Sequence, residues 1–167
     1  MAGIGRISLN IDSPLRTMLL AVRQVPADVR KQINAHTKRE AGPIWTGEVR
    51  ERAATRLQQR VLVDTSRVGV TDRNVALRSA TVGTLRKGVP VSRLASGTEF
   101  GMNPGKQIST RSRKGKPYKR QMGSVFPRPR RGGYVVYPAA RDAIPRVAAL
   151  WVQTAVRTIL DAFDGKN

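Results

Sequence analysis

The chain has 167 residues, no cysteine, 31 Lys and Arg against 11 Asp and Glu, and a formal net charge of +20. That length suits one domain with a real core, and the lack of cysteine excludes disulfides and thiolate metal sites. Such an excess of charge repels itself in a compact chain, so an anionic partner is expected: DNA, RNA, an anionic membrane face or an acidic protein surface.

Hydrophobic residues make up 40% of the chain and aromatics only 5%. The chain is therefore expected to fold, around a core of Val, Leu, Ile and Ala. No run of about eighteen apolar residues exists, so no membrane span is expected. Residues 1–10 lack the basic start and apolar run of a secretory signal, which points to the cytoplasm or a particle assembled there.

In chain order, residues 1–12 read as a short strand or arm, with Ile7, Leu9 and Ile11 alternating. Ser13-Pro14 is a helix start, followed by Leu15, Met18, Leu19 and Val22 at helical spacing. Pro26 predicts a break near Val25. A second helix then carries Val29 and Ile33 on one face and is expected to stop at Gly42-Pro43. A further helical piece is expected over 46–59, with Val49, Ala53 and Leu57 spaced by four.

The pattern changes at Gln59. Residues 60–63, 68–70 and 74–78 are short and rich in β-branched residues, separated by turn formers, and predict an antiparallel meander. Residues 81–90 are looser, and a helical turn over 91–95 leads into Gly97-Thr98-Glu99-Phe100-Gly101. Residues 134–137 read as a short strand. Pro138 then opens the longest helix, to about Phe163, with Val147, Leu150, Trp151, Ala155, Ile159 and Phe163 as its apolar face and Arg146, Gln153, Arg157 and Asp161 opposite. The expected fold is a single α+β domain over 1–167. It has N-terminal helices, a small antiparallel sheet with a long basic arm, and a C-terminal amphipathic helix packed on the sheet.

Chemistry is sparse. His36 is the one histidine and sits on a charged helix, so no zinc site can be assembled. Neither a G-x-S-x-G nucleophile elbow nor a G-x-x-x-x-G-K-[ST] phosphate loop occurs. Asp64, Asp72 and Glu99 could converge as a magnesium site of a nuclease. The simpler reading makes the two aspartates turn residues and pairs Glu99 with an arginine. No catalytic residue, metal or cofactor is expected, and the chain reads as a non-enzyme.

The positive feature is the arm at about 102–133. It holds ten cations, no acid, four Pro and five Gly, without apolar periodicity, so no helix or buried strand is expected there. Its cations are Lys106, Arg111, Arg113, Lys114, Lys116, Lys119, Arg120, Arg128, Arg130 and Arg131. They are the candidate contacts to a partner or to DNA. Wrapping of a neighbouring subunit and contact with phosphates are both open, and both fit a ring around DNA.

The order of elements carries a resemblance. Gly97-Thr98-Glu99-Phe100-Gly101 follows the small sheet, Val125-Phe126-Pro127-Arg128-Pro129-Arg130 stands near the end of the arm, and Tyr137-Pro138-Ala139-Ala140-Arg141-Asp142-Ala143 opens the last helix. This is similar to the tail-completion or neck proteins of long-tailed bacteriophages, the group that includes minor tail protein Z. Those commonly carry a Glu-Phe-Gly-Thr-like segment and a Pro-Ala-Arg-Pro-Phe-like turn before a final amphipathic helix. Here Thr98 precedes Glu99 instead of following the glycine, the arm is longer, and the turn is degenerate. The resemblance implies a structural virion protein of the head–tail junction, a homo-oligomeric ring, expected to be a hexamer. Its implied partners are the head connector or stopper, the tail terminator and the tail tube, with DNA passing through. The alternative reading is a cellular basic nucleic-acid-binding protein, associated with the nucleoid or the ribosome.

Overall fold

A computed structural model describes residue 20 and residues 22–71, 74–85, 88–121 and 125–165. The expected strand of residues 1–12 and the helix start at Ser13-Pro14 lie outside the described residues, as does Asp72. The architecture is α+β: the elements named among the described residues are four α-helices, a π turn and two separate two-stranded antiparallel sheets.

The break before Pro26 occurs as expected, and helix α1 then runs over Ala27–Arg52. It does not stop at Gly42-Pro43. Pro43 lies inside it and forgoes the backbone bond to the carbonyl of Arg39, a loss of about 3 kcal/mol in an isolated helix. Both Arg39 and Pro43 are exposed, so the unbonded carbonyl is on the solvent side. The other face buries Val29, Ile33, Thr37, Ala41, Trp45 and Val49, and that continuous stripe outweighs the proline.

After α1 the chain makes a single helical turn, α2, over Arg56–Gln58. It continues as a π turn over Gln59–Val63, closed by the Asp64 N–H donating to the Gln59 carbonyl at 3.0 Å. Residues 60–63 are therefore not the predicted strand. Thr55 and Gln58 form a reciprocal capping box, which starts a helix immediately before the apolar run. The widened turn then lets Val61, Leu62 and Val63 all be buried in succession.

Strands β1 (Arg67–Val70) and β2 (Val75–Arg78) pair with Val68 opposite Leu77 and Val70 opposite Val75. Alternation puts these four on one face, where Val68, Val75 and Leu77 are buried. Helix α3 covers Ser92–Phe100, longer than the predicted turn. Strands β3 (Gln107–Arg111) and β4 (Pro117–Gln121) form the second hairpin. Helix α4 runs over Val136–Asp164, so residues 136–137 are its first turn and 134–137 is not a strand. Gly165 follows it, as expected.

Helix α4 packs chiefly on α1, not on the sheet, and α1 also carries the β1–β2 hairpin. The core is thus helix against helix, built from Ile33, Ala41, Trp45 and Val49 facing Ala143, Val147, Trp151 and Ala155, with the π turn and first hairpin beside it. Ion pairs Glu48–Arg146 and Arg52–Asp142 make the two helices antiparallel. Arg52 also donates to Glu48 Oε2 at 2.6 Å and to the Glu48 carbonyl at 2.8 Å. Burial works against its charge, but hydrogen bonds and coulombic attraction from Glu48, and then Asp142, prevail and raise its pKa. Arg52 is thus charged throughout the range in which proteins are handled.

Thr37 is fully buried on α1, and its hydroxyl has no partner. Thr37→Val replaces that hydroxyl by a methyl of the same shape and is expected to stabilise the fold by about 1 kcal/mol. A denaturation midpoint equal to or below that of the unsubstituted chain would count against this account of the site.

Candidate interaction site: the basic hairpin and its root

The arm begins and ends at one knot of backbone. Three segments meet there: residues 97–101 at the end of α3, residues 126–131 at the end of the arm, and residues 133–137 leading into α4. The Met102 N–H donates to the Pro127 carbonyl at 2.9 Å, and the Arg130 N–H to the Phe100 carbonyl at 2.8 Å. The Tyr134 N–H donates to the Glu99 carbonyl at 2.9 Å, and its hydroxyl to the Arg128 carbonyl at 3.0 Å. Phe126 is buried over Gly97, where a Cβ would lie 2.9 Å from the ring. Phe100 and Tyr137 meet edge to face with centroids 5.2 Å apart.

Glu99 organises this knot. It is only 4% exposed and forms no salt bridge with an arginine or lysine of the described residues, contrary to the expected Arg partner. Its carboxylate instead accepts the N–H groups of Val135 at 3.2 Å, Val136 at 2.8 Å and Tyr137 at 3.0 Å. A helix begins with about four N–H groups that have no partner within it. Glu99 takes three of them, Pro138 has no N–H, and the Ala139 N–H opens the helical ladder by donating to the Val135 carbonyl. Negative charge at this end is further stabilised by the dipole of a 29-residue helix. Gly133 and Gly101 sit at φ +68° and +75°; a Cβ on the first would overlap the Glu99 carboxylate, and on the second the Arg128 carbonyl.

From this root projects the β3–β4 hairpin. The Ser112 N–H donates to the Lys116 carbonyl at 2.8 Å and the Gly115 N–H to the Ser112 carbonyl at 2.9 Å, with Gly115 at φ +80°. This is a three-residue hairpin loop whose last residue needs the left-handed region that glycine adopts freely. Residues 107–121 thus form a ribbon, in a segment whose composition supports neither a helix nor a buried strand. Cross-strand pairing satisfies its backbone without any buried face, so no apolar alternation marks it.

All ten candidate cations are exposed, and none forms an ion pair among the described residues. They fall into two groups. Lys106, Arg111, Arg113, Lys114, Lys116, Lys119 and Arg120 lie on or beside the ribbon. Arg128, Arg130 and Arg131 lie at the root, where Arg130 stacks over the Tyr134 ring at 5.2 Å.

The chain matches no protein-family model, and no curated protein or solved structure is significantly similar to it.

Of the acids considered as a magnesium site, Asp72 lies outside the described residues. Asp64 is exposed at the end of the π turn and Glu99 is held by the helix terminus. Among the described residues no group of three or more His, Asp or Glu could hold a metal ion, and His36 is exposed on α1. No described helix is long and apolar enough to cross a membrane. On α4, Val147, Trp151 and Ala155 face the core as expected, but Phe163 is 68% exposed. Val152, Val156 and Leu160, spaced by four, line a shallow open groove with Gln153, Arg157 and Asp161.

Proposed function

We propose that the protein is a structural component of the phage head–tail junction, a ring subunit that joins tail to head connector around the DNA path. The observation that carries this reading is the convergence of the three resemblance-bearing segments. Gly97–Gly101, residues 125–130 and the 137–143 start of the last helix are separated by the arm in sequence, yet meet at one root. They thereby turn the arm into a fixed projection, which is what a subunit needs to reach a neighbour or the ring's lumen. The open apolar row on α4 adds a second surface suited to packing between copies. The head connector or stopper, the tail terminator and the tail tube are the proposed neighbours.

Electron microscopy of the purified protein, alone and with tails, tests this. Closed rings of one copy number are expected, a hexamer first among them. A strictly monomeric chain at high concentration that binds neither tails nor connectors would overturn the reading in favour of a cellular nucleic-acid-binding protein.

A further inference from the structure

The ribbon of residues 107–121 is the part of the described fold least accounted for by its own stability. Every residue of β4 is exposed, and neither strand packs substantially on any other element. A lone two-stranded hairpin is marginal in water, so this one is kept for what it meets.

Its charge is distributed in a way that distinguishes partners. Arg111 pairs with Pro117 and Ser109 with Lys119, so Arg111 and Lys119 share one face. The Thr110–Tyr118 pair lies on the other face with Arg120, and Arg113 and Lys114 occupy the turn. Cations therefore point from both faces and from the tip. A protein partner covers one face and needs buried apolar or aromatic anchors at its centre. Among the described side chains, Tyr118 is the large hydrophobic that the ribbon exposes. A duplex makes the opposite demand. Its major groove is about 12 Å wide and admits a two-stranded ribbon between two walls of phosphate, within reach of long side chains from either face.

We infer that the ribbon of residues 107–121 is a duplex-DNA-binding element that enters a groove and grips the phosphate backbones without sequence preference. The identity of the duplex as packaged viral DNA rests on the junction reading; the contact itself needs only a duplex. Neutralisation of phosphates by the cations supplies the affinity.

The test is binding of the full-length protein to a labelled mixed-sequence duplex, followed by fluorescence anisotropy across a salt series. Six phosphate contacts give a log–log salt slope of about −5 and roughly a thousandfold loss of affinity between about 50 and 200 mM salt. A variant carrying Arg111→Gln, Arg113→Gln, Lys114→Gln, Lys116→Gln, Lys119→Gln and Arg120→Gln is expected to lose most of that slope and at least about a hundredfold in affinity at low salt. These side chains are exposed, so circular dichroism should be unchanged. A charge-keeping variant, Lys114→Arg with Lys116→Arg and Lys119→Arg, should bind as the parent does. Three neutralisations on α1, Lys31→Gln, Lys38→Gln and Arg50→Gln, control for general basicity.

An unchanged slope in the six-site variant overturns the inference. So does an α1 variant that loses as much per charge, or a parent chain that prefers a polyglutamate competitor to duplex at equal charge. The last outcome would assign the ribbon to an acidic protein. Microscopy of the six-site variant separates this from the junction reading. Rings that no longer bind duplex support the inference, while a monomeric parent whose duplex binding the substitutions abolish sinks the ring and leaves the ribbon's role standing.

Discussion

Glu99→Ala is expected to destabilise the protein by about 3–4 kcal/mol, lowering Tm by roughly 10 °C for a chain of this size. Loss of an ordinary side-chain cap costs about 1 kcal/mol, up to about 2. Here one carboxylate holds the N–H groups of Val135, Val136 and Tyr137, inside a site where little water can replace it. Glu99→Gln should fall between the alanine variant and the parent. Its amide keeps one acceptor but turns an NH2 group toward donors. Gly133→Ala should resemble Glu99→Ala, because its Cβ would overlap the carboxylate and its φ is unfavourable for alanine. Hydrogen exchange locates the damage: amides 135–137 should lose protection first. A loss below about 1 kcal/mol, or protection undiminished at those three amides, would contradict the capping role. The same variant bears on the arm, since the root that aims the ribbon is built on this carboxylate.

The exposure of the basic segment was legible in the sequence, while its construction was not. Ten cations without an acid over 102–133 announce a solvated, partner-seeking segment, and all ten are exposed. That the segment forms a ribbon leaves little trace, because the register is held by backbone bonds and by Gly115 in the turn, with no buried face to impose alternation. Glu99 was singled out within the Gly97–Gly101 segment but given an arginine, the default partner in a chain with 31 cations. The signal for the actual partner was at the far end of the arm. Pro138 supplies no N–H in the first turn of α4, and no Ser, Thr, Asp or Asn stands before that helix to cap it. An uncapped long helix needs an acceptor from elsewhere, and a buried carboxylate more than thirty residues away meets the need.

The fold departs from its sequence pattern where tertiary packing overrides a local rule. Pro43 reads as a stop, and α1 passes through it because Ala41, Trp45 and Val49 continue the same buried stripe. Pro145 is accommodated in α4 in the same way, exposed and opposite the face that meets α1. Residues 60–63 read as a strand because Val61, Leu62 and Val63 are β-formers. The contrary signal, Thr55-Arg56-Leu57-Gln58, is a capping box and was present in the sequence. The C-terminal helix settles on α1 instead of the sheet for a reason of area. A hairpin of two four-residue strands offers a buried face of three side chains, whereas α1 offers an apolar stripe along 26 residues.

Trp45→Ala is expected to have the other large effect, about 4 kcal/mol, and to uncouple the β1–β2 hairpin from the helices. Trp45 is fully buried at the middle of α1, which packs against both α4 and β1. Its indole N–H donates to the Arg78 carbonyl at 3.0 Å, a side-chain bond that ties the α1 core to β2. Removing the ring leaves a cavity between α1 and the elements packed on it, which the remaining core contacts hold in place, so partial collapse is expected to recover little. Trp45→Phe keeps most of the volume and forfeits the bond, and about 1–2 kcal/mol is expected. The chain has two tryptophans, so Trp151, buried on α4, remains as a fluorescence reporter in either variant. In Trp45→Ala, hydrogen exchange in residues 67–70 and 75–78 should rise well before the Trp151 signal changes with denaturant. A single transition at the parental midpoint would show that the first hairpin is held by something other than this side chain.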